Sequence, residues 1–273
     1  MFELTTRYFD SGFELFIQPP PNYTIIIHAS RELILIERSE NAIKKSTYLR
    51  IENYMLFCMR DSAHDKEHIY RVLYLALDVA KYETNINTDV LITACLLHDI
   101  GRGQQFENSK LCHAMIGGEM AYDFLIENDW LNEDAEHVKN CIITHRYRVD
   151  NSPACIEAKI LFDADKLDAT GTLGIARSFL FEGQVSEPLY TLDDDGNVLD
   201  GTGNENPSFF RECNFKLKKL YDLFYTKRAK EIANERQKSA VSFYEKDYLK
   251  LRSQAIKTTV SYTHLTLPTI YSV

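Results

Sequence analysis

Hydrophobic side chains recur every three or four residues along most of the chain, which is the spacing of amphipathic helices. One stripe runs through His68, Val72 and Leu75, and residues 90–100 form an almost wholly apolar stretch that Gly101 ends. Pro and Gly are scarce, with 7 and 11 residues, which favours long helices over a turn-rich fold. Further helices are predicted over residues 114–127, 133–144, 156–181, 209–225 and 226–252, the last with Thr226 as its N-cap.

The N-terminal segment, residues 1–42, lacks this helical pattern. Prolines 19–21 would break a helix, and the apolar runs 24–27 and 33–36 are typical of two short strands around a turn. Two interpretations stay open: a small β-containing appendage, or a start codon assigned too far upstream.

Two other segments also depart from the pattern. Residues 183–207 are polar, and Asp195-Gly196 within them predicts a small β-hairpin or a surface loop. Residues 260–273 resemble the translation of a sequencing adaptor joined to the gene, so we expect a non-native tail and exclude His264 as a ligand. The sequence thus predicts an all-α helical bundle over residues 43–259.

Composition narrows the classes of function. The net charge is −9, with 40 acidic against 31 basic residues, which argues against broad binding to a nucleic acid polymer. The apolar runs are too short to span a bilayer. The 6 cysteines form no CxxC pair and no signal peptide is visible, so reduced thiols in a cytoplasmic protein are expected.

Four polar side chains are predicted to point into the apolar interior. His98 continues the apolar face of its helix, and Asp99 follows it directly. His68 shares the stripe of the preceding helix, and Asp165 lies four residues after Leu161. Buried carboxylates beside imidazoles are costly unless a cation neutralises them. One divalent ion would remove this cost, and this donor set suits Mn, Co, Ni, Fe, Mg or Zn.

Each of these residues also has a purely structural interpretation that involves no metal. A single inward histidine is usually a hydrogen-bonded core residue, and a single His-Asp pair is common by chance. The chain has a second such pair, His64-Asp65, which can cap the helix that follows it. Since His64 lies four residues before His68, it is the main rival for the first ligand position.

The resemblance to a known family rests on the ordered pattern H…HD…D. Three segments carry it: residues 63–72 (AHDKEHIYRV), 94–102 (ACLLHDIGR) and 157–169 (EAKILFDADKLDA). Together with the later segments 215–220 and 226–236, they resemble the HD-domain phosphohydrolase superfamily, and within it the small bacterial nucleotide pyrophosphohydrolase-like branch.

This resemblance implies an all-α fold and metal-dependent cleavage of phosphate esters or anhydrides. By position, it assigns the first ligand to His68 rather than His64, the signature pair to His98 and Asp99, and the last ligand to Asp165, which precedes Lys166. Asp163 and Asp168 would then be supporting or capping groups.

Neighbouring residues are candidates for work on the phosphate. Lys166 can pair with a phosphoryl oxygen, Arg102 can clamp a phosphate, and His113 can donate a proton to the leaving group. His145 is a weaker candidate for the last role, and His137 is expected on an exposed face without a chemical role. Residues 100–105 carry no carboxylate where some relatives place a Glu, so the general base stays open.

The leading hypothesis is a phosphohydrolase that acts on a nucleotide or similar small phosphorylated metabolite, with Lys166 and either Arg102 or Arg71 balancing charge. A non-catalytic nucleotide-binding HD regulatory module is the alternative from another class. A di-iron HD oxygenase, which would need His113 and His145 as ligands, is a third. The natural substrate, the metal and the oligomeric state, with a homodimer among the options, stay open.

Overall fold

A computed structural model describes most of the chain. It gives the backbone of four strands within residues 1–42, and it describes residues 43–59, 66–146, 151–194, 198–199, 206–215, 217–243 and 250. The chain divides into two compact units, the first formed by residues 1–70 and 83–158 and the second by residues 71–82 and 159–273.

The described part of residues 43–273 is helical, which confirms the predicted all-α class. The helices are α1 (Lys45–Cys58), α2 (Lys66–Ala80), α3 (Thr88–Leu97), α4 (Arg102–Glu107), α5 (His113–Glu127), α6 (Asn132–Thr144), α7 (Ile156–Asp168), α8 (Gly171–Gln184), α9 (Phe209–Phe215) and α10 (Lys227–Ser242), with a 3-10 helix at Leu217–Asp222. Among the described residues, no helix is long and apolar enough to cross a membrane.

The N-terminal segment forms two antiparallel hairpins. Strand β1 (Glu3–Phe9) pairs with β2 (Gly12–Gln18), and β3 (Tyr23–Ile27) pairs with β4 (Leu33–Glu37). The second hairpin confirms the predicted strands, whereas the first was not predicted. The appendage is therefore β-containing, and its boundary at residue 42 stays a prediction.

The first unit is built around α3. Every residue from Val90 to Leu97 is buried, which explains why this stretch is apolar on all faces rather than striped. Helices α1, α5 and α6 pack against α3, and α5 packs against α6. The Asn87 side chain caps α3 by accepting a hydrogen bond from the Val90 backbone N–H at 3.2 Å.

The second unit has its own core between α8, α9, the 3-10 helix and α10. Phe209, Phe210 and Cys213 are fully buried there, and Phe179 stacks on Phe209 with ring centroids 4.0 Å apart. In the insertion, Leu192 and Val198 form an antiparallel bridge. The predicted hairpin or loop is thus confirmed in its described residues, while the Asp195-Gly196 turn lies outside them.

Three predicted helix boundaries were wrong. The helix expected over residues 156–181 breaks at Gly171, whose φ of 66° is accessible to glycine at little cost. The helix expected over residues 209–225 ends at Phe215 and continues as a 3-10 turn. The helix predicted over the apolar stretch 90–100 ends at Leu97, and His98 is its C-cap. Thr226 was correctly predicted as an N-cap, since its Oγ1 accepts from the Ala229 N–H.

Candidate metal centre

Helix α3 ends where the His-Asp pair begins. His98 is the C-cap, and its Nδ1 lies 2.8 Å from the Cys95 carbonyl oxygen. A carbonyl oxygen can only accept, so Nδ1 carries the proton and Nε2 presents its lone pair. The next residue, Asp99, turns away from the helix, and its carbonyl accepts from the Arg102 N–H at 3.0 Å. The end of a buried helix thereby presents an imidazole nitrogen and a carboxylate side by side.

The Asp99 carboxylate lies between two pairs of imidazoles. Its Oδ2 is 3.7 Å from Nε2 of both His68 and His98. Its Oδ1 is 3.3 Å from Nε2 of His113 and 3.7 Å from Nε2 of His145. Within each pair the two Nε2 atoms approach closely, at 3.4 Å in the first pair and 3.3 Å in the second. All five side chains are buried.

The second pair of rings is fixed in the same way as His98. His145 is the C-cap of α6, and its Nδ1 lies 2.6 Å from the Ile142 carbonyl oxygen. His113 is the first residue of α5, and its Nδ1 lies 2.6 Å from Gln105 Oε1. The Gln105 amide is oriented by its own N–H, which donates to the Leu111 carbonyl at 3.0 Å. Both rings therefore direct an unprotonated Nε2 towards Asp99.

Electrostatics keep the carboxylate ionised and one imidazole neutral. Burial alone would raise the pKa of Asp99, but the Arg102 guanidinium, with Nε 2.9 Å from Oδ2, holds that pKa well below its usual range. Burial, followed by the charge of Arg102, lowers the pKa of His113 to about 2. The cluster thus offers one anion and a neutral donor ring at neutral pH.

The donor atoms fit a divalent cation. Because Nδ1 carries the proton in both rings of the second pair, the Nε2 lone pairs of His113 and His145 face each other at 3.3 Å, an arrangement that is repulsive unless a positive charge lies nearby. Among the described residues, Asp99 Oδ1 is buried without a hydrogen-bond partner. Imidazole and carboxylate donors suit Mn, Fe, Co, Ni and Zn, and these distances do not choose among them.

Close backbone packing positions His113 against this cluster. Gly101, the N-cap of α4, approaches the first turns of α5 so closely that a Cβ there would overlap the His113 carbonyl oxygen and lie 2.7 Å from the Gly117 nitrogen. We expect Gly101→Ala to displace α5 and to cost about 1–3 kcal/mol of unfolding free energy. Metal uptake should also fall, because His113 moves with the helix. Thermal unfolding and metal analysis measure the two effects.

Gly103→Ala is the matched control. Nothing lies within 4 Å of a Cβ built at Gly103, which is inside the same short helix. This change should leave metal uptake intact and stabilise the protein by up to about 1 kcal/mol through helix propensity. If Gly101→Ala behaved like Gly103→Ala, close packing at Gly101 would not position the cluster.

The remaining predicted site residues lie on α7 in the second unit. Asp165 Oδ2 accepts a hydrogen bond from Lys166 Nζ at 2.6 Å, and the Lys166 ammonium also lies 5.0 Å from the centroid of the Phe162 ring. Both side chains are mostly buried, with 14% and 15% exposed. Lys166 is therefore not a solvated surface lysine, and its charge already faces the Asp165 carboxylate.

Asp163 has the capping role that the sequence indicated. Its Oδ1 accepts from the Tyr225 N–H at 2.9 Å, and its Oδ2 accepts from the Thr226 N–H and hydroxyl, both at 2.7 Å. Burial raises the pKa of Asp163, and these hydrogen bonds work in the opposite direction. The carboxylate thus joins α7 to the start of α10.

Asp168 is a fully buried anion between two arginines. It accepts from Arg71 Nε at 2.8 Å and Nη2 at 3.2 Å, and it also pairs with Arg177. This makes Asp168 a supporting group, as predicted. Asp168 holds Arg71 through two hydrogen bonds, and the expectation that Arg71 can balance a phosphate stays a prediction.

The sequence underestimated two groups. His145 was a weaker candidate than His113, yet the structure gives it an equivalent place at Asp99; its position four residues after Cys141 on the apolar face of α6 was the available signal. Gln105 was not a candidate, and only the packing shows that it orients His113. His64 and His264 lie outside the described residues.

Comparisons with known proteins find similarity over the region that contains this cluster. Residues 66–170 match the family model of the HD domain. YpgQ of Bacillus subtilis is 29% identical over 205 residues, which cover 74% of this chain and 91% of YpgQ. The crystal structure of YpgQ in complex with ADP matches with a TM-score of 0.54 at 29% identity, covering 72% of this chain and 93% of that one. An HD-superfamily hydrolase from Bacillus thuringiensis matches with a TM-score of 0.57 at 27% identity, and the match covers 77% of this chain and 98% of that chain.

Proposed function

Because residues 66–170 match the family model of the HD domain and the chain is similar to an HD-superfamily hydrolase, we propose that it is a metal-dependent phosphohydrolase acting on a nucleotide or a similar small phosphorylated metabolite. The observation that carries the proposal is the placement of Asp99, which directs one carboxylate oxygen to each of two pairs of buried imidazoles. A cluster that only stabilised the fold would have little reason to leave these lone pairs facing one another.

The proposed ligands of the first ion are His68, His98, Asp99 and Asp165, of which the last is assigned from the family resemblance. The second pair, His113 and His145, together with Asp99 Oδ1, offers donors for a second ion. When bound, the metal would acidify a water molecule and polarise a phosphoryl oxygen.

The chain's own cations handle the charge of the substrate. Arg102 is about one-third exposed at its side chain, so it can exchange part of its contact with Asp99 for a phosphoryl oxygen. Lys166 is placed beside Asp165 and can neutralise a phosphate in the same manner. These local charges would admit an anionic substrate despite the net charge of −9.

His113 has two competing roles. The sequence suggested that it donates a proton to the leaving group, whereas its neutral ring and its distance of 3.3 Å to Asp99 Oδ1 favour a ligand. A ligand and a proton donor respond differently to His113→Ala: loss of a ligand lowers the metal content, and loss of a proton donor lowers the rate with the metal retained. The paired variant His145→Ala reports on the second ion alone.

The nucleotide class is supported by the relative that was crystallised with ADP. To test it, the purified chain would be stripped of metal and reloaded with Mn²⁺, Co²⁺, Mg²⁺ or Zn²⁺. It would then be incubated with nucleoside mono-, di- and triphosphates, and orthophosphate, pyrophosphate and nucleoside would be separated. Metal-dependent turnover would establish the hydrolase, and the product would identify the bond that is cleaved.

Two other outcomes would redirect the assignment. Nucleotide binding without turnover under any metal would favour a regulatory binding module. Turnover only with iron, and only in the presence of oxygen, would favour an oxygenase. This alternative is tested because a carboxylate between two pairs of imidazoles offers donors for two iron ions. Running the iron-loaded protein with and without oxygen distinguishes an oxygenase from a hydrolase, because hydrolysis does not consume oxygen.

A further inference from the structure

A second group of side chains of metal-binding types lies between α6 and the start of α7. It shares no residue with the HD centre, the name used here for the cluster of His68, His98, Asp99, His113 and His145. His137 and Cys141 are four residues apart and share one face of α6. Cys155 precedes α7, and its Sγ accepts from the Ala158 N–H at 3.4 Å. One donor atom from each of the two cysteines and His137 lies within 4.8 Å of the other two. The His137 side chain is 31% exposed rather than fully solvated.

We propose that His137, Cys141 and Cys155 form a binding site for a thiophilic divalent cation, with zinc as the natural candidate. The two Sγ atoms are 3.8 Å apart, and both cysteines are free thiols. Two thiolates on a tetrahedral zinc, each at about 2.3 Å, would be about 3.8 Å apart. A thiolate and an imidazole nitrogen would be about 3.5 Å apart on the same ion, and Cys155 Sγ lies 3.3 Å from His137 Nε2.

Glu157 is the candidate fourth ligand. Its Oε2 lies 3.2 Å from His137 Nε2, and its Oε1 accepts from the Asn87 N–H at 2.7 Å. The carboxyl group is buried, so the hydrogen bond from Asn87 holds it in place next to the imidazole. Two thiolates, one imidazole and one carboxylate or water make a set that zinc accepts readily.

The Sγ atoms of Cys141 and Cys155 share a hydrogen bond in which either thiol can be the donor, and Cys155 Sγ also accepts from the Ala158 N–H. Binding of a divalent cation would release the thiol protons to solvent. Access is available through His137, whose side chain is 31% exposed. A bound ion would fasten the end of α6, which carries His145, to the first turn of α7.

The test uses the full chain, reduced and freed of metal, titrated with Cd²⁺ while the near-ultraviolet thiolate-to-metal charge-transfer band is followed. The HD centre has no thiolate, so it contributes nothing to this band. We expect the band to saturate at one equivalent per chain, to persist in Asp99→Ala, and to disappear in Cys141→Ser and Cys155→Ser. Zn²⁺ should compete for the same site and raise the thermal unfolding temperature of Asp99→Ala.

Two further variants keep the result interpretable. Cys58→Ser removes a thiol on α1 and should leave the band unchanged. His137→Ala changes the most exposed ligand, so the protein should stay folded while the affinity for Cd²⁺ falls. Absence of a band in the reduced wild-type chain, or a band that survives in Cys155→Ser, would overturn the proposal. So would a Cys141–Cys155 disulfide whose reduction restores no metal uptake.

Discussion

Asp99→Asn should abolish turnover and lower the metal content at both imidazole pairs at once. Asparagine keeps the volume of the side chain but removes the negative charge that Oδ1 and Oδ2 present to the four rings. A bound ion contributes several kcal/mol to a hydrolytic transition state, so the rate should fall at least about a hundredfold. Metal analysis of the purified variant and product formation from the best nucleotide substrate measure the two losses.

The matched control is Asp78→Asn. Asp78 pairs with Arg228 on the surface of the second unit, with 33% of its side chain exposed. The same chemical change there should leave metal content and turnover unaltered. If Asp99→Asn kept its full complement of metal, the shared carboxylate would not be a ligand, and the HD centre would have to be reassigned.

Part of the candidate metal centre could be predicted from the sequence, because the positions of some of its residues follow from the residues next to them in the chain. His98 and Asp99 directly follow a buried apolar stretch, and the helical spacing fixes the direction of His68. The pairing of His113 with His145 could not be predicted, because 32 residues separate them and only the packing of α5 on α6 brings their Nε2 atoms to 3.3 Å. Spacing within one helix carries no information about such contacts.

The short helix α4 is a second feature that the sequence alone could not predict. It contains a glycine in its first turn, Gly103, which disfavours helix by intrinsic propensity, and it follows another at its N-cap, Gly101. The close approach of α5 leaves room only for glycine at residue 101, and the helix places Gln105 beside His113. Tertiary packing thus overrides local preference at the point where the site requires it.

The acidic run on α7 raised the question of which carboxylate is a ligand and which is structural, and hydrogen bonding separates them. Asp163 accepts three hydrogen bonds from Tyr225 and Thr226, whereas Asp165 contacts Lys166. Asp163→Ala should therefore destabilise the protein by about 3 kcal/mol, because the backbone N–H groups of Tyr225 and Thr226 and the buried Thr226 hydroxyl lose their acceptor. Chemical denaturation of the variant measures the change in unfolding free energy.

Asp165→Ala is the comparison two residues away on the same helix. If Asp165 is a metal ligand, this variant should bind less metal than the wild-type chain, whereas Asp163→Ala should bind as much metal per folded chain as the wild type. The stability of Asp165→Ala without metal should also fall, because the mostly buried Lys166 ammonium loses its carboxylate partner. Metal content per folded chain therefore distinguishes the ligand from the cap. Normal metal content in Asp165→Ala together with a loss of metal in Asp163→Ala would exchange the two roles.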